Sequence, residues 1–284
     1  MLFGCLLCCS KPASAATLVP SASGTVTYNQ AGVTLDASNT SQGYVMLQYS
    51  GNASKIKVQI TRKGSSDTYT YNLNARSVYE VFPLTQGDGT YAIVVFEQVS
   101  GNQYMPIFSK TVDAKIPDAH LPFLYPNQYV NFSDGSAVVK KSNELAGAAT
   151  DQIGILSGVY NYVIQNITYD TVKAANVSSG YLPNVDTVLA EKKGICFDYA
   201  AVMAAMLRAQ NIPAKLVVGY TGGGLYHAWI NVYLDNIGWV DNAIYFDGKD
   251  WKLMDPTFAA GGNQSEQVKQ YIGDGANYQA KYTY

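Results

Sequence analysis

The chain has 284 residues, of which 48% are hydrophobic and 14% charged, and its formal net charge is only −2. A chain of this length and apolar content can bury a substantial core, and the usual size of domains predicts two of them. Because the few charges nearly balance, the composition offers no basic surface for a polyanion, and we expect no nucleic-acid partner.

The first residues form a short apolar stretch, Met1–Cys9. It is far shorter than the ~20 residues that a membrane-spanning helix needs, so we expect no integral membrane span. Small residues follow at Ala13-Ser14-Ala15, as at a signal-peptide cleavage site. We therefore expect residues 1–15 to be a signal peptide and the protein to be secreted or displayed at the cell surface. Leu2-Phe3-Gly4-Cys5 loosely matches a bacterial lipoprotein box, which leaves a lipid anchor at Cys5 as the alternative.

Residues 24–115 contain short alternating runs and no helical periodicity. In Lys55–Thr61 the apolar residues Ile56, Val58 and Ile60 share one face, which is typical of a half-buried strand. Further strands are predicted at Tyr44–Tyr49, Thr68–Leu73 and Tyr91–Val99. Asp88-Gly-Thr-Tyr91 before an apolar strand also matches a tyrosine corner, so we expect an immunoglobulin-like β-sandwich. By analogy alone, such a domain acts as a spacer or an adhesion module without chemistry of its own.

Residues 116–133 contain three prolines, a composition that prevents regular structure and predicts a linker between the two domains. His120 lies inside this segment without a cysteine or a carboxylate cluster nearby. We interpret it as a linker residue packed between domains and not as a catalytic one.

Residues 134–284 are predicted to form the second domain. Apolar residues recur at helical spacing from Ile153 to Ile167, directly after Asp151, a good N-cap. A shorter helix is predicted from Asp186 to Lys193, with Gly194 as the residue that ends it.

Cys196 is the only cysteine outside residues 1–15, and it begins another apolar run at helical spacing. A single cysteine cannot form an internal disulfide, and with only His120 and His227 beside it we expect no metal site and no cofactor. The N–H groups and the partial positive charge at a helix N-terminus favour an anion such as a thiolate. Alone, a helical cysteine is most often an inert buried side chain.

Strands are predicted after this helix. Ala214–Tyr220 alternates, His227 opens a second run through Leu234, and short aromatic runs follow around Trp239 and Trp251. The last run ends at Asp255-Pro256, where proline favours an extended backbone for the aspartate.

The order of these motifs resembles the transglutaminase-like superfamily over roughly residues 140–284. The matching residues are Gly194, Cys196, Asp198, Tyr199 and Ala200, then Gly219-Tyr220, then His227-Ala228-Trp229, and finally Asp255-Pro256-Thr257. The resemblance implies an α+β, papain-like core in which a helix carrying the cysteine packs on an antiparallel sheet. It also implies a catalytic triad of Cys196, His227 and Asp255.

The chain carries an extra segment between Trp239 and the Asp-Pro-Thr motif, from Asp241 to Lys252. Asp241, Asp235 and Asp247 therefore compete with Asp255 as the carboxylate that orients His227. We favour Asp255 because it ends a strand, proline restricts its backbone, and Asp-Pro-Thr is the form of the triad acid in the family.

Three classes of function remain open. The first is an exported thiol enzyme that forms a thioester from an amide of a protein or peptide substrate, such as a cell-wall or surface protein. Such an enzyme is either a crosslinking transglutaminase or a hydrolytic peptidase or amidase. The second is a cell-surface scaffold with this fold and no activity, and the third is an adhesive protein led by the sandwich. The three triad residues together favour the enzyme.

Overall fold

The computed structural model describes residues 16–221, 224–235, 237–241, 244–246, 251–253 and 278–284. The predicted signal peptide at residues 1–15, with its alternative anchor at Cys5, lies outside these residues, as do Asp247 and Asp255. An all-β region comes first, and a region of helices and antiparallel strands follows it. The predicted fold class, an α+β core preceded by a β-sandwich, is confirmed.

The all-β region, called the sandwich below, is built from two sheets within residues 16–133, all of which are described. Its strands are β1 (Thr27–Gln30), β2 (Val33–Asp36), β3 (Tyr44–Tyr49), β4 (Ile56–Arg62), β5 (Thr68–Leu73), β6 (Glu80–Pro83), β7 (Gly89–Ser100) and β8 (Gln103–Ala114). Neighbouring strands run antiparallel in the orders β1-β2-β3-β6 and β5-β4-β7-β8. β3 and β5 have the bounds that the alternation predicts.

The long strand β8 escapes prediction because its side chains do not alternate regularly. Its pairing with β7 shifts register between Val95 and Phe96, and Pro106 lies opposite this irregularity. A bulge of this kind moves side chains from one face to the other, so the period-2 pattern is lost.

The sandwich core follows the alternation read from the sequence. Val58 and Ile60 of β4 are fully buried, and Tyr69 and Tyr71 of β5 lie opposite them in register. Near the start of β7, the Tyr91 hydroxyl donates a hydrogen bond of 2.6 Å to the carbonyl oxygen of Gly87 in the preceding loop. This bond back to the preceding backbone is the contact expected of a tyrosine corner.

Residues 116–133 form a packed connector. A single turn of 3-10 helix spans Leu121–Phe123, and Phe123, Val130 and Phe132 are buried. The Gln128 amide donates to the Asn72 carbonyl oxygen of β5 at 2.7 Å. The proline-rich composition predicts irregular backbone, but it contains no signal for this burial.

Helices follow the connector. They are α1 (Ala137–Ala146), α2 (Gln152–Asn166), α3 (Thr171–Asn176), α4 (Val185–Glu191) and α5 (Cys196–Arg208). The predicted N-cap of α2 is confirmed, because Asp151 Oδ1 accepts a hydrogen bond of 2.8 Å from the Gly154 N–H. α5 is the central element, and α1, α2 and α4 pack around it. None of these helices, in the part of the chain that is described, combines the length and hydropathy needed to cross a bilayer.

The predicted ends of α4 are wrong. Asn184 caps its N-terminus by accepting from the Thr187 N–H at 3.0 Å. The helix ends at Glu191, and the residue that caps its C-terminus is Lys192, whose φ is +53°. Gly194 instead lies against the first turn of α5, where an added Cβ would come within 2.7 Å of the Asp198 side chain. This glycine is needed for space beside α5 and does not end a helix.

The remaining strands form a main sheet behind α5 and two separate short pairs. They are β9 (Thr168–Tyr169), β10 (Lys193–Gly194), β11 (Ala214–Tyr220), β12 (Tyr226–Leu234), β13 (Gly238–Val240), β14 (Ile244–Phe246), β15 (Trp251–Leu253) and β16 (Gln279–Thr283). The main sheet is antiparallel, with the order β13-β12-β11-β16. β14 and β15 pair antiparallel and belong largely to the extra segment, and β9 and β10 form a short parallel pair.

The sandwich and the C-terminal region share a cluster of tyrosines. Tyr129 of the connector stacks on Tyr284, with ring centroids 3.9 Å apart, and Tyr69 of β5 meets Tyr282 and Tyr284 edge-on at 5.0 and 5.7 Å. Edge-on aromatic pairs such as the two of Tyr69 add about 0.5–1.5 kcal/mol each to the free energy of their burial. The two regions are therefore packed together.

Candidate active site

Cys196 is the first residue of α5, and it is partly buried and not in a disulfide. The first turn is fixed by Asp198, whose Oδ2 accepts a hydrogen bond of 2.9 Å from the Ile195 N–H. The thiol therefore lies where unpaired helix N–H groups stabilise negative charge.

The Asp198 carboxylate is completely buried two residues after Cys196. Its charge is compensated by Lys173 Nζ at 2.7 Å and by the Tyr181 hydroxyl at 2.6 Å. Burial is the largest single effect and lowers the pKa of Lys173, but the hydrogen bonds and charges of Asp198 and Tyr181 together outweigh it, so the pKa is raised. Burial and the bond to Asp198 raise the pKa of Tyr181 to about 12. The carboxylate thus ties α3 and the loop containing Tyr181 to the cysteine helix.

His227 is the second residue of β12, and its side chain is 4% exposed. It pairs in register with Gly219 of β11. A Cβ on Gly219 would collide with the backbone oxygen of Gln279 in β16 and approach the Trp229 ring to 2.9 Å. Only glycine at this position therefore allows β16 and the Trp229 ring to pack against β11, the strand next to the one that carries the histidine.

Cys196 and His227 line one cavity of about 730 Å³. Its volume lies within the range of about 300–1,000 Å³ that is usual for ligand sites. Tyr129, Phe197 and Tyr226 supply aromatic surface near the thiol. The structure thus brings two of the three predicted site residues to the same cleft, a helix contributing the thiol and a strand the imidazole.

The third predicted residue, Asp255, lies outside the described residues. Of its competitors, Asp241 is exposed, its Oδ1 accepts from Asn231 Nδ2 at 2.7 Å, and it does not line the cavity. Asp235 lies after the end of β12, where its backbone N–H donates to Gln152 Oε1 at 2.8 Å. Neither Asp241 nor Asp235 is therefore seen at the cleft.

His120 is also away from the cleft. Its ring packs against Tyr233 with a centroid distance of 3.9 Å, and its Nδ1 lies 2.9 Å from Asp118 Oδ1. This packing agrees with its interpretation as a connector residue.

Several residues of the cavity belong to no motif in the sequence. Tyr226 lies beside His227, and burial, followed by the neighbouring Tyr129, raises its pKa to about 12. The sandwich contributes Lys57, Thr70 and Asn72, although it was expected to carry no part of the site. Their outward positions can be read from the alternation of β4 and β5, but the cavity they face depends on long-range packing.

The described residues contain no candidate metal site. No group of three or more His, Cys, Asp or Glu side chains there is arranged to hold a metal ion.

Residues 140–256 match the family model described as the transglutaminase-like superfamily, and this range includes both Cys196 and His227. The match ends at Pro256 and so also includes Asp255. The predicted resemblance is confirmed for this transglutaminase-like segment.

Two curated relatives match parts of the chain. A protein-glutamine gamma-glutamyltransferase of Pseudomonas aeruginosa is 29% identical over 109 residues, which is 34% of this chain. The uncharacterized protein YebA of Bacillus subtilis is 30% identical over 111 residues, or 33% of this chain. In both cases the match covers only 14% of the relative's length.

Solved structures resemble the fold of this chain only weakly, with low TM-scores. A Cytophaga hutchinsonii protein classed with the cysteine proteases has a TM-score of 0.40 and 17% identity, covering 85% of this chain and 83% of that one. The transglutaminase of red sea bream has a TM-score of 0.28 and 12% identity, covering 75% of this chain and 48% of that one.

Proposed function

We propose that this protein is an exported thiol enzyme that transfers the acyl group of an amide through a thioester on Cys196. The observation that carries the proposal is that Cys196, at a helix N-terminus, and His227, on the adjacent sheet, line one cavity. The match of residues 140–256 to the transglutaminase-like superfamily supports it. Export rests on the sequence of residues 1–15 alone.

In the first half-reaction, His227 accepts the Cys196 proton and the thiolate attacks the amide carbonyl carbon. The carbonyl oxygen becomes an oxyanion, and the backbone N–H of Cys196 at the helix start is a suitable donor to it. When the C–N bond breaks, the His227 imidazolium gives its proton to the leaving nitrogen. A thioester and an amine, or ammonia from a glutamine side chain, are the products.

In the second half-reaction, a nucleophile resolves the thioester. A primary amine gives a new amide, whereas water gives a carboxylic acid, and either step returns the proton to the Cys196 sulfur through His227. We assign to Asp255 the role of orienting the imidazole and stabilising its charged form, as a triad carboxylate does.

A glutamine substrate is the first choice for a test, because one relative is named a protein-glutamine gamma-glutamyltransferase. The full chain is incubated with a glutamine-containing peptide and a labelled primary amine, and mass spectrometry separates amide product from free acid. We expect one of the two products from the wild type and neither from Cys196→Ala.

The reactivity of the thiol is tested in parallel. Iodoacetamide should modify Cys196 of the folded protein faster than it modifies cysteine in the urea-unfolded chain, because an imidazole and a helix N-terminus lie at the same cleft as the thiol. His227→Gln should slow this reaction toward the rate of the urea-unfolded chain. A wild type that forms no product and reacts no faster than the unfolded chain would instead be a scaffold with this fold and no activity.

A further inference from the structure

The sandwich forms one wall of the cavity that contains Cys196 and His227. Lys57 of β4, Thr70 and Asn72 of β5, and Asn74 just beyond β5 line it. A domain that acted only as a spacer would not need to contribute side chains to the cleft.

This wall is the outward face of the sandwich sheet. Along β5 the side chains alternate, so that Tyr69 and Tyr71 are buried while Thr70 and Asn72 are directed away from the core. Lys57 pairs in register with Asn72, which places both residues on this face. β5 is also an edge strand of its sheet.

The wall is fixed relative to the cysteine helix. The Asn72 carbonyl oxygen accepts the Gln128 amide at 2.7 Å, and a Cβ on Gly180 would come within 2.8 Å of Asn72 Nδ2. The loop that carries Gly180 is in turn held to α5 by the hydrogen bond from Tyr181 to Asp198. The outward face of β5 therefore has a defined position opposite Cys196.

The described lining of the cavity contains a positively charged side chain and no negatively charged one. Among its described lining residues, Lys57 is the one lysine or arginine, and there is no aspartate or glutamate. Lys57 Nζ lies 4.5 Å from the centroid of the Tyr104 ring, and it forms no ion pair with a described carboxylate. The flexible Lys57 side chain can turn from Tyr104 toward an anionic group in the cleft, where no carboxylate of the described lining competes for that group's partner.

We propose that this sandwich face is a substrate subsite that selects peptides with an acidic side chain near the reacting amide. Lys57 pairs with the substrate carboxylate, and the Asn72 and Asn74 amides can both donate to and accept from a peptide backbone. The subsite rests on the proposed function, because the reacting amide is the one that Cys196 attacks. It also makes the sandwich a determinant of specificity.

The test uses the full chain and glutamine peptides that carry a single Glu or a single Lys at successive positions on either side of the glutamine. A half-exposed ion pair changes affinity by up to about fivefold, so the best Glu peptide should exceed its Lys counterpart in kcat/KM by about that factor. Lys57→Glu should reverse this preference.

Lys110→Glu is the matched control. Lys110 lies on β8 of the same sheet, its Nζ is 4.0 Å from the centroid of the Tyr28 ring, and it does not line the cavity. This variant should keep the preference for Glu peptides. Equal kcat/KM values for Glu and Lys peptides, or a preference that Lys57→Glu leaves unchanged, would overturn the subsite.

Recognition is also measured without turnover, so that the subsite and the proposed function can fail separately. Fluorescence anisotropy with Cys196→Ala compares the binding of labelled Glu and Lys peptides. If the wild type has no activity but Lys57→Glu reverses the binding preference, the subsite stands and the acyl-transfer proposal does not. If the wild type is active and the binding shows no charge preference, only the subsite fails.

Discussion

The two regions of this chain bury different kinds of side chain. Among the described residues of the sandwich strands, the buried charged side chain is Asp36, whose carboxylate accepts the backbone N–H groups of Gly24 and Ser38 at 2.7 and 2.9 Å. The C-terminal region buries Asp198 and Arg208 as well as His227. Removing a charge from water costs several kcal/mol unless it is compensated, so a region that buries several depends on specific partners.

The contrast separates two sources of stability. The sandwich is held mainly by apolar side chains such as Val58 and Ile93, each contributing about 1.5–3 kcal/mol on burial. In the C-terminal region, a charged network surrounds the first turn of the helix that carries Cys196. Substitutions there should affect stability and activity together, whereas most substitutions in the sandwich core should affect stability alone.

The largest effect is expected at the proposed triad acid. Asp255→Asn should lower kcat by about 10⁴, because an amide cannot stabilise the charged imidazole and the equivalent change in a serine triad costs this factor. Asp241→Asn is the control, and it should cost little because Asp241 is exposed and bonded to Asn231. If the two equally folded variants ranked in the opposite order, the extra segment would have moved the triad acid to Asp241.

The next prediction concerns the charged network. Lys173→Met leaves the buried Asp198 carboxylate without its cation, and the free energy of unfolding should fall by about 3 kcal/mol, near the lower limit for a broken buried pair because the ammonium is 29% exposed. Urea denaturation measures this loss. Lys193→Met, which breaks the exposed pair with Asp170, should change little. Similar losses in both variants would show that the buried network at Asp198 contributes no more to the free energy of unfolding than an exposed ion pair does.

A pair of glycines sharpens the comparison further. Gly219→Ala places a methyl group against the Gln279 backbone, so we expect a loss of about 1–3 kcal/mol together with reduced activity, because Gly219 pairs with His227. Gly64 of the sandwich has φ +85° and open space around it, and Gly64→Ala should cost about 1 kcal/mol of backbone strain with normal activity. Retention of full activity in a destabilised Gly219→Ala variant would contradict the link between this strand and the site.

The smallest effect is expected in the sandwich itself, at Tyr91. Tyr91→Phe removes the hydrogen bond to Gly87 and should cost about 1 kcal/mol at pH 7. Burial raises the pKa of Tyr91 to about 12, whereas an unfolded tyrosine titrates near 10. The unfolded state thus releases its proton first, and stability is lost as the pH rises from about 10 to about 12. Denaturation across this range should show a shallower loss in the variant, and an unchanged slope would contradict the assignment.

Local patterns predicted much of the fold. The bounds of β3, β5 and β11 follow from alternation, and the N-cap of α2 follows from Asp151. α1 was missed, and α4 was shifted because several residues near its ends can act as caps. Local rules cannot choose among such residues without the tertiary contacts, such as that between Gly194 and Asp198.

For the candidate site too, local patterns predicted the elements that carry the residues but not the tertiary contacts around them. The positions of Cys196 and His227 on a helix and a strand follow from the sequence, and the family motif connects them. The wall formed by Lys57 and Asn72 could not be predicted, since it depends on how two regions far apart in sequence pack together.

β16 has a consequence for the timing of assembly. It follows every other described element in the chain, yet Tyr282 and the adjoining Tyr284 line the cavity and contact Tyr69 of the sandwich. A ribosome-bound chain that has emerged only as far as β13 therefore has both Cys196 and His227 but lacks the strand that joins the two regions. We expect the thiol to acquire its finished cleft only after β16 has been synthesised.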